Sequence, residues 1–132
     1  MSTNSHIGIY DSETQRVRFI YCHWDGYLEG VGAILQEHYT DLEKINKLLD
    51  LGDISILRPE LEGDDTHCFE NPNDGVTVSY KRDRKEQDTE AREMSRQDFV
   101  TYSQEFEYLW DIQENKWIVF NKGINIETGK FK

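Results

Sequence analysis

SHIGIY at 5–10 and RVRFIYC at 16–22, separated by Asp11-Ser12-Glu13-Thr14-Gln15, decide the fold class. In the second stretch Val17, Phe19 and Tyr21 alternate with Arg16, Arg18 and Ile20, the period-2 pattern of a half-buried strand. The acidic, glycine-free link predicts a hairpin and leaves its turn type open. Tyr108–Ile112 and Lys116–Phe120 predict a second hairpin around Glu114-Asn115. Val76–Tyr80, after the strong turn Asn71-Pro72-Asn73-Asp74-Gly75, reads as a further strand, and Asp53–Leu57 as a short one closed by Pro59.

Between these strands the period changes. Val31, Ile34, Leu35 and His38 recur at helical spacing and predict a helix over 29–39, after the turn pair Asp25-Gly26. A second helix follows. Thr40 and Glu43 fit a capping box, Leu42, Ile45, Leu48 and Leu49 form its apolar stripe, and Gly52 stops it. Ser95 caps a third, near 96–107, with Phe99, Tyr102 and Phe106 at spacings of three and four. Residues 59–75 read as a long acidic loop. Residues 81–96 carry six basic and five acidic side chains and read as a solvent-exposed charged segment. The tail 121–132 is polar and free to fray, and no internal repeat is visible. The expectation is one α+β domain over 1–132. Its sheet is mainly antiparallel, two hairpins plus one or two strands, packed with about three helices.

Composition narrows the partners. The chain has 132 residues, with 15 Lys and Arg against 26 Asp and Glu, for a net charge of −11. At this length about two-thirds of the unfolded surface is buried on folding, and 36% hydrophobic residues suffice for a core. Direct binding to duplex nucleic acid or to an anionic membrane is disfavoured, because an acidic chain repels phosphate. A basic protein, or the basic groove of a nucleic-acid enzyme, is attracted. No apolar run approaches the roughly 20 residues of a membrane span. The N-terminus has neither a basic start nor an apolar signal core, so a cytoplasmic location is expected. Cys22 and Cys68 form no disulfide framework and read as reduced thiols.

Four groupings hold candidate chemistry. Cys22-His23 and His67-Cys68 supply Cys2His2 zinc ligands on paper. Adjacent strand residues point to opposite faces, however, so no metal site and no cofactor is expected. His23, Asp25, Tyr27 and Glu29 surround a glycine-rich bend where an imidazole beside carboxylates could serve as a base. A tight structural loop accounts better for those residues, and no catalytic residue is assigned. Lys81-Arg82-Asp83-Arg84-Lys85 offers guanidinium forks for a phosphate, especially if Arg82 and Arg84 fold towards Arg16 and Arg18. Last, residues 19–43 and 97–115 contain no Lys or Arg. The first holds Asp25, Glu29, Glu37, Asp41 and Glu43, and the second holds Asp98, Glu105, Glu107, Asp111 and Glu114.

HWDGYLEGVGAILQEHYTDLEKINKLLDLGDIS, residues 23–55, resembles a family of small accessory proteins of tailed bacteriophages and prophages. The shared pattern is HWDGY-x-EGVG followed by HYTD and LGDIS, over about 23–57. It returns in GVTVSYKRDRKEQ, residues 75–87, with its Tyr-x-Arg-Asp-Arg core. No reaction is assigned to the family, so the resemblance carries over no catalytic residues. It implies a phage accessory protein acting in the cytoplasm of a bacterial host.

Three functions are then expected, in order. The first is a non-enzymatic inhibitor of bacterial immunity or host machinery, anti-CRISPR-like or nuclease-blocking. It would bind a basic host protein stoichiometrically through Glu29, Glu37, Asp41, Glu43, Asp98 and Glu105, with Trp24, Tyr27 or Trp110 as anchors where exposed. The second is a sponge for a nucleotide-type immune signal, a phosphorylated small molecule held by His23, Trp24, Tyr27, Arg82 and Arg84. The third is a small hydrolase or metal enzyme built on His23, Asp25 and His67. A homodimer through an exposed sheet edge fits any of them.

Overall fold

A computed structural model describes residues 3–101, 105–121 and 124–126. The first hairpin is β1 (Ser5–Asp11) and β2 (Arg16–Cys22), in full antiparallel register from Ser5 opposite Cys22 to Asp11 opposite Arg16. A π-helical turn, Leu28–Gly32, runs into α1 (Ala33–His38), and α2 (Leu42–Asp50) follows. Next come β3 (Ile54–Ile56), β4 (Val78–Ser79), α3 (Tyr80–Arg84), β5 (Arg92–Ser95) and α4 (Arg96–Thr101). The second hairpin, β6 (Phe106–Asp111) and β7 (Lys116–Asn121), precedes β8 (Ile124–Ile126).

The α+β class is as expected, but the sheet is mixed. Its order is β4-β3-β2-β1-β6-β7-β8, with β5 paired to β2 off that path. The two hairpins are joined by a parallel pairing of β1 with β6, from Ser5 opposite Phe106 to Tyr10 opposite Asp111. β2 meets β3 in parallel as well, at Cys22 and Ile54. Hairpin chemistry is local and readable, whereas the partner of a strand's outer edge is chosen by distant sequence.

Alternation along the strands divides the core into two faces. Ile7, Ile20, Cys22, Tyr108, Trp110, Trp117 and Val119 pack with Val31, Leu35, Tyr39, Ile45, Leu48 and Leu49 of the helices. Tyr10, Val17, Phe19, Leu109 and Phe120 point the other way, against Phe99 of α4. The helices α1 and α2 thus cover one face and α4 the other.

Local details differ from expectation where a competing group wins. Asp41, not Thr40, caps α2, its carboxylate accepting from the Glu43 N–H at 3.2 Å. Within 81–96, α3 and β5 form because Ser79 caps the first and the outer edge of β2 pairs the second. Phe106 belongs to β6, not to the helix begun by Ser95, which caps Asp98 N–H at 3.1 Å. Tyr102 and most of the 121–132 tail lie outside the described residues.

The two hairpin turns are built alike. Gln15 and Asn115 take φ of 56° and 54°, and their N–H groups donate to Asp11 O and Asp111 O at 2.7 and 2.8 Å. They lie side by side: Ser12 N–H donates to Gln113 Oε1 at 2.9 Å, and Gln113 Nε2 to Asp11 Oδ1 at 2.8 Å.

Candidate functional site

The segment from His23 to Glu43 leaves β2, turns sharply and lays two helices on the sheet. Asp25 takes φ of 58°, and Gly26 N–H donates to Thr3 O at 2.8 Å. The Gly26 carbonyl in turn accepts the buried Tyr108 hydroxyl at 2.7 Å. Val31 N–H returns to Asp25 O at 2.8 Å, and Gly32 N–H donates to Tyr27 O at 3.4 Å within the π-helical turn. A Cβ on Gly30 would stand 2.3 Å from that same Asp25 oxygen, which explains why the bend needs glycine there. The DGYLEGVG spacing is therefore a structural requirement of this bend.

This bend presents apolar groups to solvent. Trp24 is 43% exposed, Tyr27 41% and Leu42 38%, and these are the exposed large hydrophobic residues among those described. Glu29, Glu37, Asp41 and Glu43 are exposed on the same stretch. Trp110 is instead buried edge-on against Trp117, with ring centroids 5.4 Å apart, and cannot anchor a partner. Asp98 stands on α4, across the sheet from α1 and α2, and Glu105 is exposed just before β6. Asp98 thus lies on the opposite side of the sheet from the acidic residues of α1 and α2.

Arg82 and Arg84, neighbours on paper, have different fates. Arg82 donates from Nε to Asp83 Oδ1 at 2.9 Å, from Nη2 to Thr77 O at 2.8 Å, and from Nη1 to Leu61 O. It pins the long loop to α3. Arg84 is half-exposed, lies 4.8 Å over the Phe69 ring and reaches Glu86 at 3.4 Å. Neither meets Arg16, paired with Glu93 at 3.2 Å, or Arg18, paired with Asp50 at 2.7 Å.

His67 belongs to the Arg82 network. Its Nδ1 accepts the Asn73 N–H at 2.9 Å, which places the ring proton on Nε2, donating to Asp83 Oδ2 at 3.1 Å. Asp83 Oδ2 also accepts the Ser79 N–H at 2.8 Å. The His67 and Asp83 side chains are only 4% and 3% exposed. They border a cavity of about 160 Å³ with Glu62, Gly63, Asp64 and Arg82. With both ring nitrogens engaged, His67 has no lone pair for a substrate.

His23 takes another course, its Nδ1 lying 2.8 Å from the Tyr21 hydroxyl. Cys22 is buried, its thiol pushed up to about 12 by burial, the opposite of an activated nucleophile. Among the described residues no three His, Cys, Asp or Glu side chains are grouped to hold a metal. None of their helices is long and apolar enough to cross a membrane.

Sequence reading did not pick out Asp53. Its Oδ1 accepts the Tyr21 N–H at 2.9 Å, where β5 has ended and β3 has not begun. Arg92 holds both carboxylate oxygens, at 2.8 and 2.7 Å. Only the sheet's edge pairing reveals that role. No protein-family model, curated protein or solved structure matches this chain.

Proposed function

We propose that the chain is a phage accessory protein acting in a bacterial host as a stoichiometric inhibitor. Its docking surface is the acidic, aromatic stretch Trp24–Glu43, and its partner is a basic surface such as the nucleic-acid groove of an immune nuclease. One observation carries this reading. The exposed Trp24, Tyr27 and Leu42 all fall in one stretch without Lys or Arg, among exposed Glu29, Glu37, Asp41 and Glu43. Buried aromatic anchors within a charged rim are what a protein interface requires. Carboxylates facing a basic groove add attraction at long range. Asp98 and Glu105 are not needed for this surface, and catalysis has no group to rest on at His67.

The test is capture from lysate of defence-expressing bacteria with two baits, the wild-type chain and the Glu37→Lys/Asp41→Lys/Glu43→Lys variant. The expected result is a basic protein bound one-to-one to the wild type, released as salt rises, and absent from the variant. A partner retained equally by both baits, or no stoichiometric protein partner, overturns the proposal.

A further inference from the structure

Aromatic side chains from three separate stretches line up across β3. Tyr21 and His23 project from the same side of β2, joined at 2.8 Å, and the Trp24 indole stands edge-on to His23 with centroids 4.8 Å apart. Trp24 N–H donates to Ser55 O at 2.9 Å, which brings Ser55 alongside them. Tyr80 stands on the far side of β3, its N–H donating to Asp53 O at 3.1 Å beside the Ser79–Ile54 pairing. Tyr80 lies 5.8 Å from the Phe69 ring, on which the Arg84 guanidinium rests at 4.8 Å. All of these rings are partly open to solvent.

We propose that this shelf of Tyr21, His23, Trp24, Tyr80 and Phe69 with Arg84 binds a nucleoside phosphate, the base against the aromatic side chains and the phosphate on Arg84. A half-exposed row of rings suits a planar ligand, because any base offers a face for stacking. The Tyr21 and Tyr80 hydroxyls supply donors and acceptors for the edge of a base. A guanidinium held over a ring keeps N–H groups free to meet an anionic oxygen.

Glu86, 3.4 Å from Arg84 Nη1, competes for that guanidinium. Lys81 is paired with Glu90 at 3.1 Å and Arg82 with Asp83 at 2.9 Å, so the phosphate falls to Arg84. Beyond about 8 Å the net charge of the chain is largely screened. A mononucleotide can enter this region, whereas a long polynucleotide would also meet the acidic surfaces. Arg82 is occupied by loop carbonyls and Asp83, so the site differs from one that uses both arginines. It shares only Trp24 with the proposed docking surface and stands or falls independently of it.

The experiment is titration of the full chain with AMP, GMP, CMP and UMP, read by tryptophan fluorescence. Trp110 and Trp117 are 4% and 3% exposed, so the accessible indole is Trp24. Adenosine and inorganic phosphate are run as separate arms. The expected result is saturable quenching by at least one nucleotide, matched by neither separate arm. Arg84→Gln should weaken it about tenfold or more, with the far-ultraviolet spectrum and urea midpoint unchanged. Four outcomes overturn the site: no saturable response at millimolar nucleotide, an undiminished response in Arg84→Gln, phosphate alone matching the nucleotides, or adenosine alone doing so.

Discussion

Arg82 and Asp83 show how a charged pair can be diverted from binding to holding a loop. Burial pushes the Asp83 carboxyl up, but the Arg82 hydrogen bond and charge and the Ser79 N–H outweigh it and hold it below the ordinary aspartate value. A folded-state value below the unfolded one adds stability that is fully present above the unfolded pKa. That stability is lost as pH falls through the folded value. Asp83→Asn should therefore lower stability by about 1–3 kcal/mol at neutral pH. The gap between variant and wild-type urea midpoints should narrow as pH drops from about 5 towards 2. A constant gap across that range would remove Asp83 ionisation from the account. Arg82 looked like a phosphate ligand in sequence because its acceptors, Leu61 O and Thr77 O, are backbone atoms carrying no sequence signal. Asp53 was illegible for a related reason: its partner is the Tyr21 N–H. Asp53→Ala strands that donor and removes the bidentate carboxylate from Arg92, and should cost about 2–3 kcal/mol in urea denaturation.

At the scale of elements, the hairpins and α2 were legible because their signals are local: alternation, apolar spacing and a glycine stop. The outer edge of β2 was not. Its first half takes β5 from a stretch that reads as solvated charge, and its end takes β3. Two glycines separate conformational cost from steric cost. Gly52 and Gly75 have φ of 77° and 75°, yet a Cβ on Gly52 would lie 2.3 Å from Thr89 O while one on Gly75 meets nothing within 4 Å. Gly75→Ala should cost about 1 kcal/mol, the backbone penalty alone. Gly52→Ala should cost distinctly more, because Thr89 O must move and it also accepts the Asp53 N–H at 2.7 Å. Equal urea midpoints for the two variants would refute the steric argument. Gly30→Ala meets Asp25 O and should both destabilise the chain and disturb the Trp24–Glu43 surface, read as weaker partner capture at unchanged salt.

At the scale of the whole molecule, the sheet separates Asp98 from the acidic residues of α1 and α2, a placement that sequence could not give. Helices α1 and α2 cover one face and α4 the other, so neutralising Asp98 should leave partner capture unchanged, whereas reversing Glu37, Asp41 and Glu43 should abolish it. The paired turns at Asp11–Gln15 and Asp111–Asn115 escaped detection as a repeat because only their framework residues agree.

The parallel pairing of β1 with β6 also sets the order of events during synthesis. Ser5 must wait for Phe106, about a hundred residues downstream, before the inner edge of β1 is paired. At the ordinary pace of about 5–20 residues per second, that interval is on the order of 5–20 s. Throughout it, the nascent chain carries a finished hairpin with one open edge, an invitation to chaperones or to neighbouring chains on the same message. A chain halted at residue 105 should show no cooperative urea transition, and the protein should become protease-resistant only after the second hairpin has left the ribosome.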